Sequence, residues 1–119
     1  MSEKNKAILV QANAAVSSGD HGTFLSHCTE DIQWNFVGDQ TLKGKAAIRR
    51  YMDETYIEPP TFVVTQLIAE GDFVTAIGTI TIKDEDGKVS HSAYCDVWRL
   101  RDGQLAELTA FVVELKQQE

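Results

Sequence analysis

The chain has 119 residues with 18 acidic and 11 basic side chains, a formal net charge of −7. Its composition, 43% hydrophobic and 24% charged, is that of a folded globular chain and excludes disordered and fibrous classes. One domain over residues 1–119 is expected, and an acidic chain without a basic run excludes a nucleic-acid backbone or an anionic membrane as its main partner.

The amino terminus leads into only four apolar residues before Gln11, too short for a signal-peptide core, and no apolar stretch reaches membrane-spanning length. A cytoplasmic location is therefore expected. Ser2 opens a first helix in which Ile8, Ala12, Ala15 and Val16 recur at helical spacing until Ser17-Ser18-Gly19. Asp20 caps a second, short helix carrying Phe24, Leu25 and Cys28. Ile32 to Val37 is predicted as a short strand ended by Gly38-Asp39. A third helix from about Gly44 presents Ala47, Ile48, Tyr51 and Met52 on one face, and Glu58-Pro59-Pro60 stops it.

Beyond Pro60 the pattern becomes one of strands. Phe62 to Ile68, Phe73 to Lys83, Val89 to Leu100 and Leu105 to Leu115 are separated by the turn signals Glu70-Gly71-Asp72, Asp84-Glu85-Asp86-Gly87 and Arg101-Asp102-Gly103. Helices followed by a four-stranded meander predict an α+β layer architecture, a curved antiparallel sheet with helices on one face.

Asp96 breaks the pattern. Strand parity puts it on one face with Tyr94 and Trp98, where a covered carboxyl must find a partner or keep its proton. The residues leave two readings open: a structural carboxylate that ties down backbone amides or an arginine, or an acid, base or hydrogen-bond donor inside a cavity. The opposite face, with Ala93, Cys95, Val97, Phe111 and Val113, is also semi-apolar, and a second subunit is the simplest cover for it.

Cys28 and Cys95 form no C-x-x-C pair and are expected to be reduced, mostly buried thiols. His21 is expected to face solvent beside its cap, and His91 falls on the face opposite Asp96. His27 follows Phe24 by three residues and is a candidate for pointing inward. No cluster has metal-ligand spacing, and the chain carries no nucleophile elbow, phosphate-binding loop or nucleotide fingerprint, so neither a metal nor a cofactor is expected.

Three segments carry a family resemblance. They are Trp34-x-x-x-Gly38 followed by Gly44-Lys45-x-Ala47-Ile48 and Tyr51; Glu70-Gly71-Asp72-x-Val74; and the run from Tyr94 through Gly103 to Glu107. In this order over nearly the full length, the chain resembles the SnoaL-like branch of the nuclear transport factor 2-like superfamily. The resemblance implies a cystatin-like α+β cone, a curved antiparallel sheet wrapped around three N-terminal helices, with a deep pocket and a homodimer formed through the outer sheet face. It implies a small hydrophobic molecule as partner, and it sets Asp96 where ketosteroid isomerase, a relative, keeps a protonated aspartic acid. Ala12 stands where that enzyme has its oxyanion tyrosine, and Asn35 or Phe36 where it has its base, so steroid isomerisation is not expected. Gly78, Ile80 and Ala110 likewise replace the relay of limonene epoxide hydrolase, and Leu108-Thr109-Ala110-Phe111 lacks the acid/base aspartate of polyketide cyclases.

Parity and the helical face assign Tyr94, Asp96, Trp98 and Tyr51 to the expected cavity; the resemblance adds Val16, Trp34, Ala110 and Val112. Two functions remain open from sequence. One is a cofactor-independent isomerase, cyclase or dehydratase acting through Asp96. The other is a non-catalytic module for ligand binding or dimerisation.

Overall fold

A computed structural model describes residues 2–116. Helix α1 spans Ser2–Ser17 and α2 His21–Ser26; strand β1 is Cys28–Phe36 and β2 Gln40–Lys43; α3 is Lys45–Thr55; β3 to β6 are Thr61–Glu70, Phe73–Lys83, Val89–Arg101 and Gln104–Glu114. The strands form one sheet in the order β2-β1-β6-β5-β4-β3, antiparallel throughout except where β1 runs parallel to β6.

Each boundary has a local cause. Asp20 caps α2, its carboxylate accepting the Thr23 backbone N–H at 3.0 Å and the Thr23 hydroxyl at 2.6 Å. Asp102 and Gly103 both take the left-handed conformation, φ 53° and 77°, which a two-residue hairpin between β5 and β6 requires. α3 ends at Thr55, before the Pro59-Pro60 pair.

The strand prediction is corrected at the start of the sheet. Cys28 belongs to β1, not to the short helix, and β1 is longer than Ile32 to Val37. The four-residue β2, where no element is expected from sequence, pairs with β1, so the meander of four strands becomes part of a sheet of six. Its alternation is too short to register as a strand, and only pairing with β1 holds it extended. In α1 the wholly buried side chains are Leu9 and Ala12, while Ile8 is only partly buried.

The sheet curls because its ladders are interrupted. The β3–β4 register shifts between Val64 and Gln66, and the intervening Thr65 donates its hydroxyl to the Ile77 carbonyl at 2.9 Å. Further shifts lie between Arg99 and Leu100 on β5 and between Cys28 and Gln33 on β1. The concave side wraps the helices, with α1 against β3 and β4 and α3 against β1 and β2. Among the described residues Leu9, Phe24, Ile32, Ile48, Met52 and Leu105 belong to one continuous apolar core.

Gly78 sits opposite the β3 bulge. A Cβ there would overlap the Val63 carbonyl oxygen and stand 3.1 Å from the Tyr94 hydroxyl. Since the obstacle is backbone, relief requires moving a strand. Gly78→Ala is expected to destabilise the fold by roughly 1–3 kcal/mol in urea denaturation; a variant as stable as the parent would show that the bend does not depend on this close approach.

Candidate functional site

The concave face is organised in rungs across the strands. One rung runs Val74–Trp98–Leu108–Trp34 and the next Ala76–Asp96–Ala110–Phe36; a third sets Gly78 beside Tyr94 and Val112. Asp96 thus has alanines on both sides, while bulky side chains fill the rungs before and after it. The short side chains leave space above the carboxyl, and the large ones wall it.

That space is a cavity of about 70 Å³. Val16, Trp34, Tyr94, Asp96, Trp98, Ala110 and Val112 all line it, with Val16 reaching in from α1. Tyr51 does not. It stands behind the wall, its ring centroid 6.0 Å from Trp34 and 5.2 Å from Phe36, and faces a wider groove of about 380 Å³ that continues outward from the cavity. The two spaces share Phe36, Tyr56, Ile80, Ala110 and Val112 as common walls.

His27 does not point into the cavity. It caps the C-terminus of α2, its N–H bonding back to Phe24, and its carbonyl accepts the Leu105 N–H at 2.8 Å. The backbone joint between α2 and the β1–β6 pair fixes its position. His21 is also corrected: its side chain is only 13% exposed and Nδ1 lies 2.8 Å from Asp53 Oδ1 on α3. Among the described residues no three His, Cys, Asp or Glu side chains converge as metal ligands.

The cavity residues missed from sequence are Asn13, Phe24, Phe36, Tyr56, Phe62, Ile80 and Leu108. Leu108 and Ile80 were within reach of strand parity, since they share rungs with Trp98 and with Phe62. Asn13 and Tyr56 were not: one depends on the rotation of α1, the other on the path of the connection from α3 to β3.

The electrostatics follow from this geometry. Among the described residues Asp96 has no side-chain hydrogen bond and no ion pair, and desolvation pushes its pKa up from 3.8 to about 7. The aromatic wall supplies that desolvation. Burial also drives the Tyr94 phenol up to about 12 and Tyr56 further, each with a smaller contribution from the Asp96 charge. Asp96 is therefore the one cavity side chain poised to exchange a proton near neutrality. Cys28, buried at the start of β1, is held as a thiol, its pKa pushed to about 12 by burial.

The raised pKa is also a statement about stability. Between pH 4 and 7 the unfolded chain releases a proton that the folded chain retains, so Asp96 makes stability fall as pH rises through that window, reaching its full cost above pH 7. Asp96→Asn removes the titration, although its amide is itself an unpaired polar group. The variant is expected to be more stable than the parent by roughly 1–3 kcal/mol at pH 8 and nearly equal to it at pH 4. A loss of stability at pH 8 would mean that Asp96 is a structural anion.

Comparison with known proteins agrees with this architecture. Residues 9–108 match the family model of the SnoaL-like domain. Among solved structures, the epoxide hydrolase/cyclase-like enzyme SalBIII, which has a role in pyran ring formation in the polyether salinomycin, superposes with a TM-score of 0.86 at 22% identity, covering 93% of this chain and 92% of that one. TerC, co-crystallised with polyporic acid, gives 0.76 at 19% identity over 90% and 89% of the two chains. An NTF2-like protein of unknown function from Cytophaga hutchinsonii gives 0.74 at 23% identity over 95% and 99%. At these identities the likeness concerns the fold alone. No curated protein matches the chain in sequence. The family model spans most of the chain, and the chain belongs to the SnoaL-like domain family.

Proposed function

We propose that the whole chain works as one SnoaL-like unit that binds a small hydrophobic molecule in the cavity above Asp96. Asp96 is the acid/base of a cofactor-independent isomerase, cyclase or dehydratase-type reaction there. One observation carries this reading: a partner-free carboxyl, on the wall of an otherwise apolar cavity, with its pKa at about 7. Near that pH both its forms are populated, so a single residue can take a proton from one atom of the ligand and return it to another. The crystallisation of the structural neighbour TerC with polyporic acid supports the choice of a small organic ligand.

The other titratable cavity groups, Tyr56 and Tyr94, are held protonated at neutral pH and can offer hydrogen bonds without titrating. With one proton-exchanging group rather than two, a non-catalytic binding module is the second reading. A minimal probe separates them. 3-Cyclohexen-1-one becomes its conjugated isomer by loss of a proton beside the carbonyl and its return at the far alkene carbon, a change read by ultraviolet absorbance. The catalytic reading expects turnover that rises with pH through about 7 and falls about 100-fold or more in Asp96→Asn. Binding of the ketone without turnover would leave the binding module.

We further propose that the chain is a cytoplasmic homodimer joined through the convex sheet face. Phe111 is 47% and Val113 65% exposed there, beside the half-buried Ala93, Cys95 and Val97. Pairing carries this patch on to Ile77 of β4 and Ile68 of β3. A specific interface would bury about 1,200 Å² or more. Light scattering is expected to give a dimer mass at micromolar concentration, and Val113→Lys to halve it; a parent monomer would contradict this assembly.

A further inference from the structure

Along β5 the side chains of the concave face change character in a fixed order. Trp98, Asp96 and Tyr94 line the inner cavity, and Ser92 and Ser90 follow at the same parity in the outer groove. The pairing extends this order across the sheet. Ser92 stands between Ile80 and Glu114, and Ser90 beside Ile82. At about 3.3 Å of rise per residue, Ser92 lies roughly 13 Å along the strand from Asp96, and Ser90 roughly 20 Å. The wall is apolar near the carboxyl and hydroxyl-bearing further out.

The two spaces differ in size as well. The inner one of about 70 Å³, against roughly 10–15 Å³ for one water, takes a group about the size of a six-membered ring. The groove, at about 380 Å³, takes more. Ser90, Ser92, Asp39 and Glu114 line it, and among the described residues none of these side chains has a hydrogen-bond or ion-pair partner. Because the two spaces share walls, one molecule can occupy both.

Charge narrows the class of molecule. Neither space is lined by a lysine or arginine, so an anionic tail would lie beside Asp39 and Glu114 with no countercharge in the groove. Lys88 and Lys116 line the next hollow, which shares Ser90 and Glu114 with the groove, and they oppose a cationic tail. A hydroxyl donates to carboxylates and both donates to and accepts from serines, so it suits all four groove groups.

We propose that the ligand is an elongated, uncharged molecule in two parts: an apolar ring beside Asp96, and a hydroxyl-bearing tail that bonds at Ser92 and Ser90 in the outer groove. This rests on the pocket reading above and adds the ligand's length, its polarity and a second subsite.

Two alcohols test it. Cyclohexylmethanol carries its hydroxyl next to the ring, and 6-cyclohexylhexan-1-ol carries it at the end of a chain long enough to reach Ser92. The readouts are two methyl resonances in the 13C-labelled chain. Leu108 lines the inner cavity and not the groove, and Ile82 the groove and not the cavity. The short alcohol is expected to shift Leu108 alone and the long one to shift both. The double variant Ser90→Ala, Ser92→Ala is expected to weaken the long alcohol about three- to tenfold and to leave the short one unchanged. The methyl shifts need no variant and test the tail's position on their own. The anion 6-cyclohexylhexanoate and the cation of 6-cyclohexylhexan-1-amine are each expected to bind about threefold or more below the long alcohol.

A long alcohol that moves Leu108 but leaves Ile82 fixed, or that loses nothing in the serine variant, would overturn the second subsite and leave the pocket reading intact. A charged probe that binds as tightly as the long alcohol would overturn the uncharged class. If neither alcohol moves Leu108, this proposal and the pocket reading fall together.

Discussion

The site depends on a steric constraint in the rung Ala76–Asp96–Ala110, where a carboxyl has the smallest side chains as lateral neighbours. Larger groups at either alanine would cover Asp96 and fill the cavity. Smaller groups at Trp34, Trp98 or Tyr94 would admit water and let the carboxyl ionise at its ordinary pH. The raised proton affinity of Asp96 and the space above it are thus two results of one arrangement, alternating small and large rungs on a concave sheet. The bend that makes the sheet concave depends in turn on the β3 bulge and the missing side chain at Gly78.

Division of labour inside the cavity follows from the same packing. Tyr56 and Tyr94 are kept protonated by burial, so these phenols can offer hydrogen bonds without giving up a proton. Asp96 alone can change state near neutrality among the cavity side chains. A site of this kind suits chemistry in which one proton moves while the ligand's polar atom is held still. The fold leaves the reaction open, since structures with the same cone belong to proteins with differing descriptions, from an epoxide hydrolase/cyclase-like enzyme to a protein of unknown function.

Much of this was legible in the chain because long strands have a strict period of two. Tyr94, Asp96 and Trp98 were assigned to one face by parity alone, and β4, β5 and β6 begin and end within a residue of the bounds expected from their pattern. What parity cannot see is how elements meet. The rotation of α1 brings Asn13 to the cavity, and the path after α3 brings Tyr56 between the inner and outer spaces. Tyr51 lies on the helical face expected of it, yet Trp34 and Phe36 stand between it and the inner cavity. Likewise His21 is largely shielded, beside a partner, Asp53, that lies 32 residues further along the chain. Short β2 carries almost no pattern of its own and exists through pairing with β1.

The central claim is that apolar surroundings, rather than a partner group, set the state of Asp96. The most direct measurement is the pH titration of its side-chain carboxyl carbon by NMR in the intact chain. The account gives a midpoint near 7, with the resonance moving as that of a single isolated group. A midpoint at or below 3.8, the ordinary aspartate value, would show that the folded protein holds the charged form, and would contradict both the desolvated cavity and the proton transfer assigned to it.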